Sequence, residues 1–223
     1  MSGARGIRTV LFDLDGTFAD TLPDLGDALS AALAERGLEG VAAETLRPVV
    51  SHGARAMARH VAGDRLDAKT LDALFERFLD LYRANVARRT RTMDGIPELL
   101  AAIDDRGMSW GVVTNKHAAF TDPLMRALDP NGRAACVVSG DSTANAKPHP
   151  QPLLHACRLA GTSPASCVYV GDAEIDVVAA RRAGMRSVVV LYGYLAEGDD
   201  PRAWGADAVI DAPGDLLAWL DAV

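Results

Sequence analysis

Lysine is nearly missing from this chain: it has 20 arginines and only three lysines, Lys69, Lys116 and Lys147. Where arginine is the default cation, each lysine draws attention as a possible point charge with a task of its own. Cysteine is also scarce. Cys136, Cys157 and Cys167 are odd in number, fit no zinc spacing and sit among apolar neighbours, which reads as reduced, buried thiols in a cytoplasmic protein. No apolar run approaches the roughly 18 residues of a membrane span, and MSGARGIRTV has no apolar stretch suited to a signal peptide. A net charge of −7 excludes a general nucleic-acid binder, which needs a basic face, but leaves room for an anionic small molecule.

What is present is a repeating pattern. Short apolar runs occur at Thr9–Phe12, Ser109–Thr114, Ala135–Ser139, Cys167–Gly171 and Arg186–Tyr192, with a weaker one at Asp207–Ile210. Helical spacing falls between them, over Pro97–Arg106, Ala118–Leu128, Pro150–Ala160, Ile175–Ala183 and Gly214–Leu220. Continuous apolar strands alternating with helices imply a parallel α/β sheet covered on both faces. The stretch 19–92 breaks the pattern. It contains no convincing strand, and Asp24–Arg36 and Asp67–Val86 read as helices. A helical insert of about 70 residues therefore follows the first strand, with crossings near Phe18–Leu22 and Ala87–Gly95. The run Ala87–Arg91 (ARRTR) reads as a helix C-terminus with favourable cations.

Ligands of parallel sheets bind beyond the carboxyl ends of the strands. Asp13 and Asp15 follow the first strand, Thr114 and Asn115 end another, and Asp172 follows a third, with Asp176 one helical turn on. Lys147 lies in a loop, NAKPHP, stiffened by Pro148 and Pro150. Each alone has an ordinary reading: a turn, a helix N-terminus, a solvated loop lysine. Together they converge. Four carboxylates brought close repel one another and would hold protons unless a divalent cation resolves the conflict. Mg²⁺ uses one or two carboxylates, waters and a substrate phosphate. A phosphoryl group needs cations, donors and an in-line nucleophile, and a carboxylate nucleophile divides one hard hydrolysis into two easier steps.

DLDGT (Asp13–Thr17), VVTN (Val112–Asn115), AKPHP (Ala146–Pro150) and VGDAEID (Val170–Asp176) resemble, in order and spacing, the four motifs of the haloacid dehalogenase-like phosphohydrolases. The resemblance spans essentially the whole chain. It implies a Rossmannoid α/β core over 1–18 and 92–223, with a small α-helical cap over 19–91 inserted after the first strand. It implies that Asp13 attacks phosphorus, that Asp15 protonates the leaving oxygen and then activates water, and that Thr114 and Lys147 hold the phosphoryl group. Mg²⁺ would be held by Asp13, the Asp15 carbonyl and Asp172, with Asp176 acting through water or as an orienter. The family usually has an aliphatic residue where this chain has Phe18, which reads as packing at the hinge with no effect on the chemistry.

Within the family, ADTLPDL, HGARAM, VVTNKHAAFTDPL and YGYLAEGDDPRAWGADAVID resemble the phosphoglycolate phosphatase branch. MDGIPELL and SWGVVTNK resemble at least equally a neighbouring branch that acts on N-acetylmuramic acid 6-phosphate. A β-phosphoglucomutase-like phosphosugar mutase is the third alternative. Cap residues set the choice of alcohol. Arg55 and His52 are candidates for meeting a substrate carboxylate, against a surface salt bridge for Arg55 and an exposed loop position for His52. Asn115 and Lys116 are the other substrate candidates, Lys116 through its positive potential near the phosphoryl group. The expected partner is a small phosphorylated metabolite, with neither nucleic acid nor membrane; monomer and homodimer stay open.

Overall fold

A computed structural model describes residues 6–196 and 198–223; residues 1–5 of MSGARGIRTV lie outside the described residues. Strand β1 (Thr9–Phe12) is the centre of the fold. Its Val10, Leu11 and Phe12 are fully buried, and it pairs in parallel with β4 (Ser109–Val113) on one side and β6 (Cys167–Gly171) on the other. The sheet continues to β5 (Val137–Val138) beyond β4, and to β7 (Arg186–Val190) and β8 (Ala208–Ile210) beyond β6, giving the parallel order β5-β4-β1-β6-β7-β8.

The strands alternate between two apolar layers. Val10 and Phe12 pack with Trp110, Val112 and Val170 on one face, together with Leu99 and Ile103 of helix α4 (Ile96–Asp105). Leu11, Val113 and Tyr169 pack on the other face with Leu153 of α6 (Gln151–Leu159) and Ala179 of α7 (Glu174–Ala183). Both faces being covered explains why β1 and β6 read as unbroken apolar runs. Helices α5 (Ala118–Leu128) and α8 (Asp215–Asp221) complete the surround. Register fixes the chemistry: Phe12 lies level with Val112 and with Val170, so residues 13, 114 and 172 leave the sheet at one edge.

The helical segment lies between β1 and α4. It comprises α1 (Leu22–Ala34), a 3₁₀ run over Ala43–His52, α2 (Ala54–Ala62) and α3 (Ala68–Asn85). The middle two carry no helical period in the sequence and were not expected. Pro48 inside the 3₁₀ run and Gly53 at φ +87 interrupt the periodicity that marks longer helices. The expectation of no strand in 19–92 is corrected as well. The two crossings pair with each other as an antiparallel ribbon of β2 (Ala19–Asp20) and β3 (Arg91–Thr92), each two residues long and too short for an alternation signal. The expected strand at Ala135–Ser139 shrinks to Val137–Val138, because this edge strand has a partner on one side only.

The ARRTR run also differs from expectation. Helix α3 stops at Asn85, and Ala87 adopts φ +79. Arg89 and Thr90 then donate backbone N–H groups to the Asp24 carboxylate at 2.9–3.0 Å, and the Thr90 hydroxyl donates to it at 2.8 Å. Asp24 is buried on α1, so one carboxylate fastens the second crossing to the first helix. Asp24→Ala leaves the two buried donors of Thr90 and the half-buried Arg89 N–H without an acceptor, an expected loss of roughly 2–3 kcal/mol or more in urea unfolding. A change below about 1 kcal/mol would show that the clamp is not needed. Phe18 is fully buried, stacked on Trp110 with ring centroids 5.5 Å apart, in line with a packing role at the first crossing.

Candidate active site

Asp13 is the first residue after β1, and its N–H donates to the Val170 carbonyl at 2.8 Å, which continues the parallel ladder one step beyond the strand. The chain then turns sharply, with Phe18 and Ala19 both donating to the Leu14 carbonyl. Gly16, at φ +80, is needed in this turn: a Cβ there would lie 2.3 Å from Asp172 Oδ2. Close approach of the turn to Asp172 is thus written into the glycine of DLDGT.

Lys147 is buried, and its side chain is only 1% exposed. Its Nζ lies 2.8 Å from Asp13 Oδ1 and 2.8 Å from Asp176 Oδ1, and donates to the Tyr169 hydroxyl at 2.7 Å. That hydroxyl donates in turn to the Val113 carbonyl at 2.6 Å. The loop carrying Lys147 is held by Asn115, whose amide accepts from Lys147 N–H at 2.9 Å and donates to its carbonyl at 3.0 Å. Asn115 therefore spends both ends of its side chain on placing the lysine.

Asp172 and Asp176 are almost fully buried. Asp172 accepts from Thr17 Oγ1 at 3.3 Å and from Tyr194 N–H at 2.7 Å. Asp176 accepts from Ala173 N–H at 3.1 Å, across the first turn of α7. Carboxylate oxygens of Asp13, Asp172 and Asp176 lie within 4.8 Å of one another, a set that could hold a metal ion. Burial, then the charges of Asp13 and Asp176, push the Asp172 carboxyl well above its usual range. Asp13 is pushed up to about 6, by burial first and by Asp176 and Asp15, with Lys147 pulling the other way. For Lys147, burial disfavours the charge, but Asp13 and Asp176 outweigh it and raise its pKa well above the ordinary lysine value. One ammonium among three crowded carboxylates leaves them short of positive charge, which is the condition a hard divalent cation meets.

Asp15 points elsewhere. Its carboxylate accepts from Lys116 Nζ at 2.8 and 3.1 Å and from the Thr21 hydroxyl. Burial acts against the Lys116 charge, but Asp15 outweighs it and holds the ammonium above its usual pKa. The Tyr82 ring of α3 lies 4.9 Å from Lys116 Nζ. The expected positive potential of Lys116 is therefore directed at Asp15. Thr114 is buried at the end of β4, and its Oγ1 accepts from Lys116 N–H at 3.1 Å.

These groups open into one cavity of about 660 Å³ between the sheet edge and the helical segment. Asp13, Asp15, Thr114, Asn115, Lys116 and Lys147 form its sheet-side wall, whereas Asp172 and Asp176 do not line it. His52, Gly53 and Arg55 line the helical side, with apolar surface from Met57, Phe75 and Leu79. His52 is exposed. Arg55 lies 4.8 Å over the Phe75 ring and is paired with Asp72 at 2.6 Å, the salt bridge weighed from the sequence. Four residues at the site were not anticipated: Tyr169 under Lys147, Tyr194 and Thr17 on Asp172, and Tyr82 over Lys116. The chain has only four tyrosines, so their rarity was a usable signal, as it was for lysine.

Residues 10–190 match the haloacid dehalogenase-like hydrolase family. The chain is 42% identical over 215 residues to the N-acetylmuramic acid 6-phosphate phosphatase of Pseudomonas aeruginosa, covering 96% of this chain and 95% of that one. It is 44% identical over 215 residues to a phosphoglycolate phosphatase of Xanthomonas campestris pv. campestris, covering 95% and 97%. Among solved structures, one described as a predicted phosphoglycolate phosphatase from Haemophilus somnus superposes with a TM-score of 0.84 at 25% identity, over 98% of this chain and 99% of that one. The sheet order, the site at its carboxyl edge and these likenesses agree: the chain belongs to the haloacid dehalogenase-like hydrolase family.

Proposed function

We propose that this chain is a Mg²⁺-dependent phosphomonoesterase of the cytoplasm that works through an aspartyl-phosphate on Asp13. The observation that carries the reading is the convergence of Asp13, Asp15, Thr114 and Lys147, from separate strand ends and loops, on one cavity. Asp13 forms the new bond to phosphorus as the ester P–O bond breaks, and Asp15 gives its proton to the departing alcohol. Water then attacks the acyl phosphate, Asp15 takes its proton, and the Asp13 carboxylate is freed. Lys147 supplies positive charge beside Asp13, and the Thr114 hydroxyl a donor to a phosphoryl oxygen. Lys116 and Thr21 hold the Asp15 carboxyl between these two proton transfers. The carboxylates of Asp13, Asp172 and Asp176, grouped within 4.8 Å, could hold Mg²⁺, with the Asp15 carbonyl as the further ligand that the family resemblance implies; when bound it would neutralise charge on the phosphoryl oxygens.

The carboxylate cluster gives the metal a pH signature. Asp13 is raised from 3.8 to about 6, so the folded, metal-free protein holds this proton more tightly than the unfolded chain does. The resulting stability is complete below about pH 4 and is lost as pH rises through about 6. Mg²⁺ should therefore raise the melting temperature more at about pH 7.5 than at about pH 5, read by calorimetry with and without chelator. An equal rise at both values would mean that the metal does not meet these carboxylates.

The segment 19–91 acts in this proposal as a cap that closes over the substrate, hinged at the β2–β3 ribbon. The sequence favours 2-phosphoglycolate as substrate. A second reading, N-acetylmuramic acid 6-phosphate, is supported by the cavity: about 660 Å³ lies well inside the 300–1,000 Å³ usual for drug-sized ligands and far exceeds a two-carbon acid. Met57, Phe75 and Leu79 also offer apolar surface that a sugar with acetyl and lactyl groups would cover and glycolate would not. Both esters carry a carboxylate for Arg55 or His52 to meet. Mg²⁺-dependent phosphate release from the two esters, with β-glucose 1-phosphate alongside, decides among them. Accumulation of a sugar-phosphate isomer without phosphate would indicate a mutase and overturn the hydrolase reading.

A further inference from the structure

Beyond β7 the chain runs Tyr192-Gly193-Tyr194, and this tripeptide touches four separate parts of the molecule. The Tyr192 hydroxyl donates to the Thr17 carbonyl at 3.2 Å. The Tyr194 backbone N–H donates to Asp172 Oδ2 at 2.7 Å. The Gly193 carbonyl accepts from Arg47 Nη1 at 3.1 Å, and the Arg47 guanidinium lies 5.3 Å from the centre of the Tyr194 ring. Finally, the Tyr194 hydroxyl accepts from the backbone N–H of Thr21 at 2.8 Å and of Leu22 at 3.0 Å, and donates to Asp20 at 2.7 Å. A phenol has one proton and two lone pairs, so this hydroxyl is saturated.

The arrangement answers a local need. Thr21 is the N-cap residue of α1, but its side chain makes no cap bond and is spent on Asp15. The first N–H groups of the helix thus lack the usual nearby acceptor. Tyr194, 173 residues from Thr21 in the chain and 2% exposed, supplies an acceptor for the N–H groups of Thr21 and Leu22 at the helix start, while Pro23 in the first turn has no N–H to satisfy. The approach to Asp172 is equally specific: a Cβ on Gly193 would lie 2.3 Å from the Asp172 Cβ. Residue 194 therefore binds the metal-site carboxylate through its backbone and the start of α1 through its side chain.

We propose that Tyr194 is a positioning residue that locks α1 to Asp172, with Arg47 as the clamp from the helical segment. Mg²⁺ at the carboxylates and the placement of α1 then stabilise one another, and the coupling acts equally in both directions. The inference rests on the metal-dependent reading above.

Amide hydrogen exchange of metal-free and Mg²⁺-loaded protein, without substrate, tests it, with Mg²⁺ affinity measured by calorimetry. In the parent protein Mg²⁺ slows exchange across Asp20–Leu25 as well as across 172–176. Tyr194→Phe keeps the ring beside Arg47 and the N–H on Asp172 but removes the hydroxyl. In this variant Mg²⁺ still protects 172–176 but no longer protects Asp20–Leu25, which exchanges about fivefold faster for each lost hydrogen bond. Mg²⁺ affinity falls by a similar factor. Arg47→Met, which touches no backbone cap, serves if Tyr194→Phe does not fold, and shifts both readings the same way by less. Equal Mg²⁺ protection of Asp20–Leu25 in parent and variants, or none in the parent, overturns the coupling and leaves the phosphatase reading standing. No Mg²⁺ binding by the parent overturns both.

Discussion

Asp13→Asn abolishes phosphate release, by roughly four orders of magnitude or more, while the protein melts no lower than its parent. The two halves of this expectation have separate causes. An amide cannot attack phosphorus as the carboxylate does, and nothing else in the cavity replaces it. Asp15, the nearest alternative in sequence, is tied to Lys116 and Thr21. Stability survives because the Asp13 carboxylate is itself a burden at neutral pH: burial pushes its pKa up to about 6. Replacing it by a neutral isostere removes that desolvation cost, and Lys147 keeps Asp176 and Tyr169 as partners. Phosphate assays and thermal melts on the same preparation read both halves. Turnover within tenfold of the parent would exclude Asp13 as nucleophile.

Lys147→Met has the opposite stability signature. The methionine stem fills much the same volume, but the oxygens of Asp13, Asp176 and Tyr169 lose their shared ammonium. Breaking one side of a buried ionic cluster costs about 3–5 kcal/mol, because the remaining charges are left unpaired. The loss is greatest at high pH and shrinks as pH falls, since the orphaned carboxyls escape by taking up protons. Added Mg²⁺ recovers part of it by replacing the missing charge. Turnover falls roughly a thousandfold, a typical consequence of removing one preorganised electrostatic partner of the transition state. Denaturant unfolding at about pH 5 and about pH 8 separates this from a simple packing defect, which would cost the same at both.

The contrast between the two variants follows from features that the sequence displays unevenly. Asp13, Thr114 and Asp172 were legible because each follows an apolar strand, and the parallel register brings strand ends to one edge. Lys147 stood out because lysine is rare in this chain. The helices α1 and α3 were legible from their periodicity; the 3₁₀ run and α2 were not, because Pro48 and Gly53 cut them into pieces shorter than the period needs. The ribbon at the crossings escaped notice because two-residue strands carry no pattern. Asp24 marked only the start of a helix in the sequence and is the buried acceptor for the second crossing, a role fixed by residues 65 and 66 positions away. Tyr169 and Tyr194 act through contacts across the sheet that no local pattern announces.

The cavity explains why the alcohol is harder to read than the reaction. Its sheet-side wall is built from motif residues, whereas its helical wall is a mixture of apolar side chains, an exposed histidine and an arginine already paired with Asp72. Neither the shape of such a wall nor the pairing of Arg55 with Asp72 is carried by a short motif.

The central claim is that phosphate passes through a covalent bond to Asp13. Rapid acid quench of the Mg²⁺-loaded protein during turnover, followed by peptide mass analysis, tests it most directly. The account predicts one phosphoryl group on the peptide containing Asp13, formed and lost at rates compatible with turnover and absent from Asp13→Asn. Full turnover with no phosphoryl group on that peptide, or with the group on another side chain, would contradict it.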